Sequence, residues 1–273
     1  MLAFPNCKIN LGLHILNKRE DGFHNLETVF YPVALKDALE IIPAHNTNTD
    51  IEFTVTGLPV DGNEDDNICI KAYHLLKKDF PQLPNVKMHL HKAIPMGAGL
   101  GGGSADGAFT FQLLNTKFNL NISTVDLINY AAQLGSDCPF FIINTACHAT
   151  GRGEILNEIV IDLAAYKIVL INPGIHINTA WAFSQLTPAL PSKSISAIIQ
   201  QPIDSWKDEL QNDFEKPVFE KYPGIKKIKG NLYAQGATYA AMTGSGSTVY
   251  GIFKKEIAIE NSNRENYFTK IIG

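Results

Sequence analysis

The sequence contains no run of about 18 uncharged apolar residues, the length a membrane-spanning helix requires. Its opening, Met1 to Asn10, lacks the basic segment followed by an apolar stretch that marks a secretory signal. The expectation is a cytoplasmic protein with no membrane partner. Cysteine is scarce: Cys7, Cys69, Cys138 and Cys147 stand at spacings that fit neither a zinc ribbon nor a Cys-x-x-Cys redox pair. A disulfide scaffold is excluded, and four reduced thiols are expected. No sign of charge dominates either, since 23 Lys and Arg oppose 27 Asp and Glu for a net charge of -4. The chain therefore has no global basic field to draw it to nucleic acid or anionic lipid. His89 and His91 share a strand face by the period-two rule, but no third metal ligand stands near them. Repeats and low-complexity tracts are absent.

What is present is the composition of an average globular protein, 45% hydrophobic and 18% charged over 273 residues. That length makes one large domain or two ordinary ones. Short β-like runs (Lys8 to Leu16, Thr28 to Pro32, Leu39 to Ile42, Ile51 to Thr56) alternate with turn-rich joints at 19–22 and at Asp61-Gly62-Asn63, predicting an antiparallel sheet. Apolar Ile68, Ala72, Leu75 and Leu76 predict a helix over 67–80, stopped by Pro81, before a strand over 86–91. A helix is expected over 105–114, and a capping box at Ser123 and Asp126 opens another that ends at Gly135. The order reads as α+β rather than a regular βαβ alternation. Beyond Ala149 come a strand over 166–172, a loop-like stretch over 186–202, helical segments over 205–220 and 226–234, and a strand pair over 239–242 and 249–253. These imply a second α+β domain, with boundaries 1–150 and 151–273.

The 21 glycines are unevenly spread, and six of them fall within residues 95–108. Without a Cβ at Gly97, Gly99, Gly101, Gly102 and Gly103, backbone N–H groups can close around phosphate oxygens while the following helix turns its positive end toward them. A polyphosphate site is implied. The spacing Gly97-x-Gly99-x-x-Gly102 satisfies a dinucleotide fingerprint, but no strand ending in an acidic residue follows about 20 residues on, and no βαβ unit is expected before it. A P-loop would need lysine where Gly103 stands.

The run Pro95-x-Gly-x-Gly-Leu-Gly-Gly-Gly-Ser104 resembles the phosphate loop of the GHMP kinases, the family of galactokinase, homoserine, mevalonate and phosphomevalonate kinases. Thr243-Gly-Ser-Gly-Ser-Thr248 is similar to that family's C-terminal glycine turn. Lys8-Ile-Asn-Leu-Gly-Leu, Arg19-Glu-Asp-Gly-Phe-His24 and Leu134-Gly-Ser-Asp137-Cys-Pro139 resemble the branch whose substrate carries a cytidine diphosphate. The resemblance implies a two-domain α+β fold, an N-terminal mixed or antiparallel sheet with helices and a C-terminal α/β plait, with the active site in the cleft between. Ser104-Ala105-Asp106 departs from the family's usual Ser-Ser or Ser-Ala followed by Asn, and Phe23 stands where Tyr is frequent.

Transfer of a phosphoryl group to an alcohol needs a phosphate cradle, a group for the hydroxyl proton, and positive charge where the transferring group becomes electron-rich. The resemblance implies Asp137 as base with Lys8 as its partner. ATP is expected on Pro95, Met96, Gly97, Ala98, Gly99, Leu100, Gly101, Gly102, Gly103, Ser104 and Ala105, with Asn67 and Lys92 toward the adenosine. Mg2+ is expected with the ATP, Ser104 being the candidate ligand. Phe23 and His24, after a tight Asp21-Gly22 turn, are expected to stack on and read the cytosine, with Phe183 as second face. Asn10 and Thr179, with Gly244, Ser245 and Gly246, complete the expected substrate side. Asn10 also reads as a buried, satisfied asparagine, and Asp137 as a helix cap before Pro139. A monomer or weak homodimer acting on small molecules is expected. Another GHMP kinase, a non-catalytic nucleotide sensor and, more distantly, a Rossmann oxidoreductase are the alternatives.

Overall fold

The computed structural model describes residues 1–44, 49–60, 62–259 and 267–273. Asp61 of the expected turn at 61–63 lies outside the described residues. In chain order the elements are β1 (Leu2–Ala3), β2 (Asn6–Lys18), β3 (His24–Lys36), β4 (Ala38–Pro43), β5 (Ile51–Gly57), α1 (Ile68–Asp79), β6 (Val86–Lys92), α2 (Gly102–Lys117), α3 (Thr124–Leu134) and α4 (Cys138–Ile143). They continue with β7 (Cys147–Thr150), β8 (Ile155–Glu158), β9 (Tyr166–Asn172), α5 (Thr179–Ser184), α6 (Ile195–Ile199), α7 (Trp206–Glu209), α8 (Glu215–Lys221), α9 (Pro223–Ala234), β10 (Tyr239–Met242), β11 (Val249–Lys254) and β12 (Phe268–Ile272). Two compact units result: residues 1–7, 34–96 and 101–144 form one, and residues 8–33, 97–100 and 145–273 the other. No helix among the described residues is long and apolar enough to cross a membrane.

The first unit is built on a sheet in the order β1-β4-β6-β5. Strand β6 alternates strictly, placing Val86, Met88, Leu90 and Lys92 inward while Lys87, His89 and His91 face outward. His89 and His91 engage Thr54 and Thr56 at 2.8–3.0 Å, as half-exposed strand residues do. The antiparallel sheet expected from the strand runs is a mixed one, as the resemblance allowed: β5 runs parallel to β6 from Ile51 opposite Val86 to Gly57 opposite Lys92. The twelve-residue helix α1 intervenes, and a helical crossover returns the chain in the same direction. A β5-α1-β6 unit therefore does precede the glycine loop. Ser123 caps α3 by accepting from the Asp126 N–H, and Gly135 ends that helix, as expected. Phe111, Phe140 and Phe141 are fully buried, each stabilising this unit by about 2–3 kcal/mol of removed apolar surface.

The second unit carries an antiparallel sheet in the order β10-β11-β9-β12 and a second in the order β2-β3-β7-β8. Its core gathers Leu13, Ile15, Val169, Phe214, Val218, Ile225, Ile228, Leu232, Met242, Val249 and Phe253. The expected strand pair is β10 and β11, joined from Met242 to its partner Val249 through the glycine turn. Two expectations are corrected here. The loop-like stretch 186–202 contains α6, whose N-cap Ser194 accepts from the Ala197 N–H. The helix expected over 205–220 is interrupted at 210–214, where Leu13 donates to the Gln211 carbonyl and Asp213 to the Leu13 carbonyl.

Candidate functional site

Residue types in the glycine segment sort by side chain. Ala98 and Leu100 are buried anchors and Met96 is exposed. The Leu100 carbonyl accepts from the Lys8 N–H at 2.9 Å, and the Ala98 carbonyl from the Thr248 N–H at 3.2 Å. Gly99 has φ +78°, and a Cβ there would stand 2.2 Å from the Thr243 carbonyl oxygen, so only glycine lets the loop lie against the C-terminal turn. Helix α2 begins within the glycine run, at Gly102 rather than at Ala105, and runs for 16 residues. Its N-cap, Gly101, supplies no side-chain cap, and no acidic residue occupies the first turn. The first N–H groups and the positive end of the helix dipole are thus left for an external anion, which fits a nucleotide triphosphate.

Lys8 and Asn10 lie on one face of β2. The Lys8 ammonium donates to Asn10 Oδ1 at 2.6 Å and stands 5.0 Å from the Phe30 ring centroid. Asn10 was expected to bond substrate hydroxyls, but it is 2% exposed and committed inside the protein. Its Nδ2 donates to Thr28 Oγ1 at 3.0 Å, its N–H to Thr243 Oγ1 at 3.0 Å, and its carbonyl accepts from the Tyr250 hydroxyl at 2.8 Å. In this arrangement Asn10 orients Lys8. The Thr243 hydroxyl is within 3.1 Å of both Asn10 Oδ1 and the Gly99 carbonyl, tying β2, the phosphate loop and the turn together. Asn212 holds the same turn by donating to the carbonyls of Met242 and Gly244 at 2.7 and 2.9 Å. The roles of Thr28, Asn212 and Tyr250 are not marked in the sequence, because nothing local marks a residue whose partners are over 15 positions away.

On the same unit, the His24 ring stacks on Phe183 with centroids 4.9 Å apart at 20°, while Phe183 sets its other contact edge-on against Phe214. Burial, with a smaller contribution from Lys18, lowers the His24 pKa, which favours the neutral imidazole with one donor and one acceptor nitrogen. Phe23 is 54% exposed, and the Arg152 guanidinium lies 4.8 Å from its centroid. Asn178 caps α5 by accepting from the Trp181 N–H, which presents Thr179 so that its hydroxyl meets Ser245 Oγ at 3.2 Å. Gly244 and Gly246 flank that serine in the turn.

In the first unit, Asp137 directly precedes α4. It occupies the N-cap position in a helical conformation and its side chain makes no cap bond, so the capping role does not apply. The neighbouring Cys138 thiol is hydrogen-bonded to Ser104, and burial, with the Asp137 charge adding to it, pushes that thiol up to about 12. This contact sets the start of α4 beside the start of α2. Asn67, expected near adenosine, uses its side-chain oxygen to cap α1 at the Cys69 N–H. Lys92, also expected there, is fully buried: its ammonium bonds Asp37, and Asp106 at 2.7 Å. Burial opposes the Lys92 charge, but Asp106 and Asp37 outweigh it and hold its pKa above the usual value. Burial likewise drives the Asp106 carboxyl up to about 8 against the pull of Lys92. Pro95 and Ala105 flank the loop, and Ala105 is fully buried in α2. Among the described residues no cluster of three or more His, Cys, Asp or Glu is arranged to hold a metal ion.

Known proteins share this sequence and fold. The pattern for the GHMP kinases N terminal domain matches residues 67–145, and that for GHMP kinases C terminal matches residues 194–267. The chain is 49% identical over 268 residues to a 4-diphosphocytidyl-2-C-methyl-D-erythritol kinase of Bacteroides fragilis, covering 98% of this chain and 97% of that one. It is 49% identical over 267 residues to the enzyme of the same name in Cytophaga hutchinsonii, covering 97% of each. A crystal structure of 4-(cytidine 5'-diphospho)-2C-methyl-D-erythritol kinase superposes with a TM-score of 0.80 at 30% identity, covering 92% of this chain and 90% of that one. The mevalonate kinase of Methanococcus jannaschii shares the fold, at a TM-score of 0.72 and 13% identity, over 99% of this chain and 97% of its own. With a capless helix start behind a glycine loop, a turn tied to that loop through Thr243, and relatives matched along nearly its whole length, the chain belongs to the GHMP kinase family.

Proposed function

We propose that the protein transfers the γ-phosphoryl group of ATP to the 2-hydroxyl of 4-diphosphocytidyl-2-C-methyl-D-erythritol, yielding the 2-phosphate and ADP in the non-mevalonate route to isoprenoids. The observation that carries the reading is the capless start of α2, whose first N–H groups are left for an anion, with Ser104 of that first turn interacting with Cys138, the residue after Asp137. In this role Asp137 takes the proton from the acceptor hydroxyl. The Lys8 ammonium, aimed by Asn10, neutralises charge that develops on the transferring group. The amides of 97–105 hold the triphosphate, and Phe23, His24 and Phe183 form the cytidine side, the His24 imidazole reading the base edge. ATP would supply the phosphoryl group and Mg2+, when bound, would neutralise its β and γ phosphates, with Ser104 as the candidate protein ligand. The two family domains in this reading are 1–150 and 151–273. The protein works on small molecules in the cytoplasm as a monomer or weak homodimer, without nucleic-acid or membrane partners.

An ADP-release assay across the cytidyl substrate, mevalonate and homoserine tests the assignment, and activity on mevalonate alone overturns it. Asp137→Ala is expected to lower turnover by about 10²–10⁴-fold or more, while the dissociation constant for ATP moves by less than about threefold. Retained turnover in that variant would remove Asp137 from the chemistry.

A further inference from the structure

Lys92 ends β6 on its inward face, following Val86, Met88 and Leu90, so the sheet carries an ammonium where the pattern calls for an apolar side chain. Its side chain is 0% exposed, as is that of Asp37, and that of Asp106 is 2% exposed. Asp37 does more than pair with Lys92. Its Oδ1 accepts the N–H groups of Ala93 at 2.5 Å and Ile94 at 2.8 Å, the first two residues after the strand. At the far end of the loop, Gly102 opens α2 so close that a Cβ would meet Ile94 Cγ2 at 2.8 Å and Lys92 Nζ at 3.4 Å. Asp106, one turn further along α2, accepts from Lys92 Nζ at 2.7 Å. One buried charged cluster thus touches both the strand exit and the helix entry of the phosphate loop.

We propose that Asp37, Lys92 and Asp106 are positioning residues that clamp the two ends of the phosphate loop and so preset its fit to a triphosphate. The inference rests on the reading of residues 95–105 as the ATP loop. Burying one ammonium with two carboxylates is not an efficient route to stability, because desolvation offsets most of the attraction and an apolar trio of equal volume performs as well or better. What such a cluster does supply is direction: a lysine between two carboxylates, one of them held by two amides, admits a single arrangement of β6 and α2. The glycines of the segment have no side chains with which to hold its shape, so beyond the anchors Ala98 and Leu100 its two ends are fixed from outside. A loop held in its bound conformation binds tightly because little ordering is left to do.

The test compares Asp37→Asn with the triple variant Asp37→Asn/Lys92→Met/Asp106→Asn. The triple variant leaves no buried charge without a counter-charge, and the side-chain oxygen at position 37 can still accept the two amide N–H groups, so it guards against loss of the fold. ATP binding is measured by calorimetric titration, the Michaelis constant for the acceptor alcohol by steady-state kinetics, and amide hydrogen exchange over 93–106 without ligand. In both variants the dissociation constant for ATP is expected to rise about tenfold while the acceptor's Michaelis constant changes less than about twofold. Lys92→Arg, which retains the cation, is expected to recover at least half of that loss on a logarithmic scale. Exchange is expected to quicken at both loop ends, Ala93 and Ile94 as well as Gly102 to Ala105. Folded variants with ATP affinity within about twofold of the wild type, or with exchange quickened only beside the substituted residue, would overturn the proposal. Because exchange is read without nucleotide, a wild type that failed to bind ATP would count against the function of the loop and leave the clamp to be judged by its amides.

Discussion

The phosphate loop and the C-terminal turn are both glycine-rich, yet glycine serves different ends in them. In the turn, a Cβ on Gly246 would stand 2.8 Å from both Ile177 Cδ1 and Met242 Sδ, so the residue is required by packing within the protein. In the loop the requirement is split. Gly99 is demanded by the turn itself, through the Thr243 carbonyl, whereas Gly103 is an ordinary helical residue whose Cβ would find nothing nearer than Met96 Cε at 3.5 Å. No protein atom explains glycine at 103, and the space beside it is what a phosphate at the start of α2 would use. Composition cannot separate these cases; the neighbouring atoms do.

That distinction can be broken by substitution. The largest effect is expected from Gly99→Ala, because the obstructing atom is a carbonyl oxygen that has no rotamer by which to retreat and the backbone there is left-handed. Stability in urea should fall by about 2–4 kcal/mol, and turnover by about 10²-fold, since loop and turn must part. Wild-type stability in this variant would dissolve the argument that the turn fixes the loop. Thr243→Val keeps the volume but leaves the Asn10 N–H buried without its acceptor, so a loss of about 1–3 kcal/mol is expected in the same unfolding measurement. ATP affinity should hardly move there, while turnover falls because Asn10 no longer aims Lys8; equal losses of both would place Thr243 in the cradle itself. The smallest change is expected from Gly103→Ala, which should leave stability unchanged or raise it by up to about 1 kcal/mol. Its dissociation constant for ATP should nevertheless rise several-fold, and a wild-type value would mean that the glycine at 103 makes no room for ligand.

Much of the fold was legible because its signals are local. The capping box at Ser123 and Asp126, the strand over 166–172, and the pair β10 and β11 depend on residues within a few positions of one another. The parallel pairing of β5 with β6 was not legible, because period two marks a strand and says nothing of its neighbour's direction. The interruption of the helix over 205–220 has the same origin: residues 211–213 are claimed by Leu13, some 200 positions earlier. The candidate site divides likewise. Glycine spacing marked the cradle, but that Asn10 turns inward to Lys8, that His24 lies on Phe183, and that Lys92 is sealed between Asp37 and Asp106 are matters of partners remote in sequence.

The sequence by itself determined that the chain is globular, that it carries a glycine-rich loop of the kind that can close on a phosphate, and that Lys8, His24 and Asp137 accompany the loop in the order found in GHMP kinases. These follow from composition and from contiguous motifs, in which residue type and spacing already carry the chemistry. Only the tertiary structure decided which glycines yield to protein and which leave open space, and which polar side chains are spent internally. The reason is physical: burial and hydrogen-bond pairing belong to atoms brought within about 3 Å of one another, and for Asn10, Lys92 and Thr243 those atoms lie tens to hundreds of residues away.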